Sequence, residues 1–250
     1  MDIDISLAPP VLFDIYGFPV TNTLFMSVVI ALFLILLARL ATRRMQLVPR
    51  GVQFWAEVMF SIVYDFLKSV TPSEGAVRKL FPLIMTLFLF ILIGNAFSYI
   101  PGLGAISYQG TGIYRTITSD YSFVLVLTLI SFVVTQGTLL ATGGFGAFVK
   151  KFINVSGSWS QKPINMFLGG MDLIGELAKI VSLSFRLFGN MFAGEVLTIV
   201  VSSLMPFVLP LPFAILGLLT TFVQPTVFSL LTTLNVSGNI VSKPKPVEAG

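Results

Sequence analysis

Residues 182–195, SLSFRLFGNMFAGE, set Arg186 inside a run that otherwise has the composition of a membrane helix. A guanidinium keeps its charge in proteins, with a pKa above ~12. At mid-helix in a bilayer it costs ~2.5–3.5 kcal/mol even on the most lenient insertion scale. Something must offset that cost. Working outward, no proline interrupts residues 164–205. A continuous helix of that length measures about 60 Å at ~1.5 Å per residue, against a hydrocarbon core of ~30 Å. The segment predicts a helix that tilts far beyond the usual ~20°, lies partly in the membrane plane, or breaks. Gly169-Gly170 is the favoured break, with simple helix packing as the plainer reading of that pair.

The rest of the chain has the same character. It is 55% hydrophobic and only 10% charged, where soluble domains carry roughly 25% charged residues. Apolar runs at 22–38, 81–100, 121–142, 164–205 and 211–236 approach the ~20 residues that cross a bilayer as a helix. Asp2, Asp4 and Asp14 precede the first run with no early Lys or Arg, unlike a signal peptide, so that run is expected to stay in the mature chain. No internal repeat is visible.

Residues 49–70 read differently. Glu57, Ser61, Asp65 and Lys68 fall within about 80° of one another at the helical ~100° per residue, with aromatic and aliphatic residues on the other side. Such a helix spans or lies flat at the interface, and charge decides. If it lies flat, Arg39, Arg43, Arg44, Arg50, Lys68, Arg78, Lys79, Lys150, Lys151, Lys162, Lys243 and Lys245 share one side, with Arg115 in an opposite loop. That is a positive-inside pattern. The expected fold is a single all-α integral membrane domain over residues 1–250, with five spanning helices and one in-plane amphipathic helix. Residues 1–21 lie outside and residues 237–250 form a cytoplasmic tail. The long tilted helix carrying Arg186 pairs with the last helix.

The chain has no Cys and no His, which removes disulfides, thiolate chemistry, the usual zinc sites and His-assisted nucleophiles. The net charge of +4 is scattered beside apolar runs, a pattern that orients a polytopic protein and offers no nucleic-acid face. Asp172, Glu176, Lys179, Arg186 and Asn190 fall within an arc of about 80° on one helix. Glu195 lies on the opposite side, ~13 Å further along the axis. For the acidic end, an internal ion-pair network (Glu176–Lys179, Asp172–Lys179) stands beside a functional reading. Arg186 has no carboxylate at i±3 or i±4, and no other span supplies a mid-membrane acid. An unpaired intramembrane ion points to an ion path, with the counter-charge on another polypeptide. Ser182, Ser184, Gly189, Ala193 and Gly194 are small enough for a partner's close approach or for ordinary packing.

At these residues the sequence resembles subunit a of F-type ATP synthases, the membrane stator of a rotary motor. LSFRLFGNMFAGE (183–195) is the most specific match, supported by NAFSYIPG (95–102), TSDYSFVLVLTL (118–129) and Gln224 in TTFVQPTVFSLL (220–231). The resemblance covers roughly residues 20–235. It implies that Arg186 faces the carboxylates of a rotating c-ring, and that Asn190, Glu195 and Gln224 are polar groups of the outer access channel and partners of the arginine. It places Asp120 near the outer mouth, and Asp172, Glu176 and Ser182 along the cytoplasmic half-channel. Implied partners are the c-ring, the peripheral-stalk b subunits, other ATP synthase subunits and membrane lipid. No cofactor, metal, nucleic acid or directly bound nucleotide is expected. The implied location is a bacterial inner membrane, with the N-terminus outside and the C-terminus cytoplasmic.

Two departures stand out. Many bacterial members of the family have His where this chain has Gly217, so a Glu–His relay through Glu195 is impossible here. The end TLNVSGNIVSKPKP (233–246) also lacks the family's usual finish, leaving Asn235 without a role. The alternatives are a stand-alone channel or transporter, which predicts repeats or paired broken helices, and an intramembrane enzyme limited to Asp, Glu, Lys and Ser. GGFGAFVKK (143–151) lacks the GK[ST] ending of a phosphate loop and reads as a cytoplasmic hinge.

Overall fold

The computed structural model describes residues 9–43, 45–71, 74–100, 102–103, 106–108, 111–152, 162–205 and 209–241. Arg44, Pro101, Pro206 and residues 242–250 of the expected cytoplasmic tail, with Lys243 and Lys245, lie outside the described residues, whereas 237–241 continue the last helix.

The fold is all-α, opened by a short hairpin ahead of the first helix. β1 (Val11–Ile15) and β2 (Phe18–Thr21) pair antiparallel. They are joined through Tyr16 and Gly17, both at positive φ, the backbone that matches a tight hairpin to strand twist. Thr21 then caps α1 (Asn22–Thr42), its side chain accepting from the Leu24 N–H at 3.3 Å. The helix runs past residue 38 through Arg39, itself a good helix former.

α2 (Val52–Val70) starts from Gly51 at φ 60, where a side chain would be strained. Glu57, Ser61, Asp65 and Lys68 are exposed, while Val63 and Leu67 are buried. This is the amphipathic division the sequence predicts. α3 (Glu74–Ala96) begins seven residues before the expected 81. Glu74 in its first turn suits the positive end of the helix dipole and pairs with Lys68 at 2.7 Å. A 3-10 turn, Phe97–Tyr99, ends this helix. β3 (Ser107–Tyr108) and β4 (Thr111–Gly112) form a short ribbon, and a second 3-10 turn, Ile117–Ser119, leads into α4 (Tyr121–Phe152). α4 continues beyond residue 142 across the glycine-rich stretch but kinks at Gly144 (φ 73, ψ 170). The expected hinge is that kink.

α5 (Lys162–Leu204) is one continuous helix of 43 residues. The break expected at Gly169-Gly170 does not occur. Two helical glycines cost only about 2 kcal/mol, less than the backbone groups a break would orphan inside lipid. At ~1.5 Å per residue α5 is about 65 Å long, so it tilts or leaves the ~30 Å hydrocarbon layer. α6 (Pro210–Val241) extends beyond residue 236 and carries Pro225 internally, which membrane helices tolerate when neighbours satisfy the freed carbonyl. Among the described residues, five helices are long and apolar enough to cross a membrane, and α2 is not one of them.

α6 packs against α3, α4 and α5, and α4 also packs against α5. Leu87, Ile91, Val124, Leu127, Leu183, Leu187 and Phe228 form the core shared by these four helices. α2 is seated on α3 and α6 through Val63, Leu67, Leu80, Ile84 and Val236, and α1 packs through Met26 and Ile30 on Ile117. The end of the connection between α3 and α4 folds inward, since Thr116, Ile117, Thr118, Ser119 and Asp120 are all buried.

Candidate functional site

α5 buries Leu183, Ser184, Leu187 and Met191 against its neighbours. Ser182, Arg186 and Asn190, four residues apart, therefore share a face that this chain leaves uncovered. Among the described residues no hydrogen bond or ion pair engages the Arg186 guanidinium. Gln224, on α6 and buried, accepts through Oε1 from Asn190 Nδ2 at 2.9 Å. Its carbonyl is thus held by the residue one turn beyond Arg186.

The α5 segment about 15 Å to one side of Arg186 carries Glu176, which is buried. Glu176 pairs with Lys179 at 3.2 Å and accepts from Gln136 Nε2 on α4 at 3.2 Å. Gln136 Oε1 is itself buried, with no hydrogen-bond partner among the described residues. Beside them lies a cavity of about 20 Å³, walled on one part by Thr128, Ser131, Thr135, Glu176, Lys179 and Asn235 and on the other by Phe132, Ile180 and Leu183, large enough for a water with polar partners. Ser131 and Thr232 bond across α4 and α6 at 2.8 Å near it. Asp172, the other expected partner of Lys179, is exposed, and no ion pair joins the two among the described residues.

On the other side of Arg186, by about 13 Å, stands Glu195. Its Oε2 is buried with no hydrogen-bond partner among the described residues. Tyr114, from the inward loop, lies within electrostatic reach of Glu195 and of Tyr99, and burial pushes its phenol pKa above the ordinary tyrosine value. The Tyr114 hydroxyl donates to Ser98 Oγ at 2.8 Å, and Ser98 meets Thr116 Oγ1 at 2.7 Å. Asp120 is buried and caps α4, Oδ1 accepting from the Ser122 N–H at 2.9 Å. Tyr121 next to it, the first residue of α4, meets Phe185 at a tilt and Phe188 edge-on, so the start of α4 lies at the level of Arg186.

The expected residues thus divide among three levels along α5: Glu176 towards its N-terminus, Arg186 and Asn190 with Gln224 of α6 centrally, and Glu195 towards its C-terminus. Sequence reasoning missed Gln136, Thr128, Ser131 and Thr135 on α4, and Tyr99, Tyr114, Ser98 and Thr116 around the loop. On α4 the signal was Thr128, Ser131 and Thr135 at i, i+3 and i+7, one polar stripe in an apolar helix. For the loop no local signal existed, because its burial is tertiary.

The family model described as ATP synthase A chain matches residues 23–237. The chain is similar to ATP synthase subunit a of Helicobacter hepaticus, 34% identical over 218 residues, covering 87% of this chain and 88% of that one. It is 32% identical over 207 residues to the subunit a of a Geobacter species, covering 83% and 82%. It is 31% identical over 224 residues to that of Moorella thermoacetica, covering 90% and 93%. The chain belongs to the ATP synthase A chain family, the proton-translocating stator subunits of F-type ATP synthases.

Proposed function

We propose that the uncovered face of α5 is the static wall past which a ring of carboxylate-bearing c subunits turns, with the peripheral-stalk b subunits holding this chain still. One observation carries this reading: a charged, exposed Arg186 with no partner among the described residues, between two polar clusters on the same helix. Its counter-charge is then supplied in trans, one ring carboxylate at a time. The chain makes and breaks no covalent bond in this scheme. It moves protons and leaves the chemistry of ATP to other subunits.

The outer half-channel runs past Glu195 and the inward loop with Asp120. The inner one runs past Glu176, Asp172, Ser182 and the small polar cavity. A ring carboxylate approaching Arg186 is held ionised, because a nearby positive charge favours the charged form. It therefore gives its proton to one half-channel. Beyond the arginine it meets the other half-channel, is reprotonated, and as a neutral group can turn into lipid at small cost. The fixed charge also repels cations that would cross directly between the half-channels. Asn190 and Gln224 hold the α5–α6 contact at the level where this happens. The one-sided Lys and Arg distribution orients the chain in a bacterial inner membrane with the N-terminus outside and the C-terminus cytoplasmic. The stand-alone channel or transporter reading needs paired broken helices, and α5 is unbroken.

The test is purification in a mild detergent with an affinity handle on this chain. A ring of small hairpin subunits and a peripheral stalk should accompany it in fixed proportion. Recovery of this chain alone, with ion conductance on reconstitution, would contradict the reading.

A further inference from the structure

Gly217 on α6 carries no side chain, and the phenol end of Tyr99 fills the space. A Cβ built there would collide with the Tyr99 hydroxyl and sit 3.3 Å from its Cζ. That hydroxyl is within hydrogen-bonding reach of Thr221, one turn further along α6 and fully buried. Thr221 already spends its one hydroxyl hydrogen on the Gly217 carbonyl, at 3.0 Å. The Tyr114 phenol is within electrostatic reach of both Tyr99 and Glu195. The Glu195 Oε2, buried and unpartnered among the described residues, completes the cluster.

We propose that Tyr99 is a proton-path residue of the outer half-channel: its hydroxyl, admitted by Gly217, is the polar group that α6 itself does not supply opposite Glu195. With Tyr114 and Ser98 it offers a chain of hydroxyls along which protons pass between the outer side and Glu195. Hydroxyls suit this task because each both donates and accepts. Glycine at position 217 is then a functional requirement and not a packing accident. This proposal rests on the stator reading above.

The test uses the whole ATP synthase complex in proteoliposomes, with ring assembly verified and ATP-driven proton pumping as the readout. Tyr99→Phe keeps the ring and removes the hydroxyl. It should assemble normally and lower pumping by about three- to tenfold, the scale of one lost hydrogen bond. Gly217→Ala, which pushes the hydroxyl aside, should do the same. Combined with Tyr99→Phe it should add little, because both act on one group. The distinguishing variant is Tyr99→Phe with Gly217→Ser, which returns a hydroxyl to the same space from α6. It should recover most of the lost rate, whereas Tyr99→Phe with Gly217→Ala should not. Three results overturn the proposal: parent-like pumping in Tyr99→Phe, failure of Tyr99→Phe to assemble, or equal rescue by Ala and Ser at 217. Each makes Tyr99 a space-filling tether between α3 and α6. An Arg186→Ala arm separates the two levels. If it pumps normally the stator reading itself fails, and if it is dead while Tyr99→Phe is normal only the tyrosine path fails.

Discussion

Asn190 donates to Gln224 across the α5–α6 contact at 2.9 Å, while Arg186, one turn earlier, has no partner among the described residues. The sequence suggested that Gln224 and the arginine meet directly. The structure commits the Gln224 carbonyl to Asn190, so the pair fixes the turn that presents the guanidinium. Gln224→Leu should therefore loosen coupling without abolishing it, lowering ATP-driven pumping several-fold. Asn190→Ala should act similarly, and the double variant should be little worse than the stronger single one. Additive losses in the pumping assay would mean that the two side chains act separately.

Glu195 has a buried oxygen that nothing in the described chain satisfies, as expected of a carboxylate that exchanges protons with a water path. Glu195→Gln should slow pumping while leaving assembly intact, and Glu195→Asp, which keeps the charge on a shorter stem, should be milder. Pumping by Glu195→Gln equal to the parent across a range of external pH would remove Glu195 from the path.

The in-plane placement of α2 has its own check. Leu47 and Gly75, both exposed, flank α2. Single cysteines at the two positions should react with an impermeant reagent from the same, cytoplasmic side. Labelling from opposite sides would make α2 a spanning helix and the five-span topology wrong.

Lys68 and Glu74 join the end of α2 to the start of α3, with side chains 55% and 67% exposed. The hydrogen bond and charge of Lys68 hold the Glu74 carboxyl below its ordinary pKa of 4.5, and Glu74 raises Lys68 above 10.5. A depressed carboxylate stabilises above its unfolded pKa and loses that contribution as pH falls through the folded one. A raised ammonium stabilises below 10.5 and loses its contribution as pH rises past the folded value. The pair is thus intact across neutral pH, and so exposed a pair is weak and salt-screened. Glu74→Gln should leave the melting temperature of the complex almost unchanged at neutral pH and remove what salt dependence this joint has. A fall of many degrees would mean that the joint carries far more than its exposure allows.

Much of this was legible because lipid imposes simple rules. Helix length, one-sided charge and helical periodicity identified five spans and the amphipathic character of α2. What escaped notice depends on tertiary placement. The loop with Tyr114, Thr116 and Asp120 reads as polar and external, yet it is buried against α1, α3 and α5, so its hydroxyl network has no periodic signature. Gly217 read as a missing histidine, and only the contact with Tyr99 shows what fills its place. The Gly169-Gly170 pair suggested a break because propensity was weighed without the cost of unpaired backbone in lipid. Asp120, given a channel role by resemblance, also serves as the cap of α4.

The central claim is that Arg186 works on a charge carried by another subunit. The most direct measurement is Arg186→Ala in reconstituted complexes with verified ring assembly, recording ATP-driven pumping and passive proton leak side by side. Arg186→Lys serves as companion, keeping the charge but losing the planar fork. The account predicts no pumping in Arg186→Ala and little or none in Arg186→Lys. Passive leak in Arg186→Ala should rise or stay level, since the barrier between the half-channels is gone. Near-normal coupled pumping in Arg186→Ala would contradict the account and leave Arg186 a structural charge.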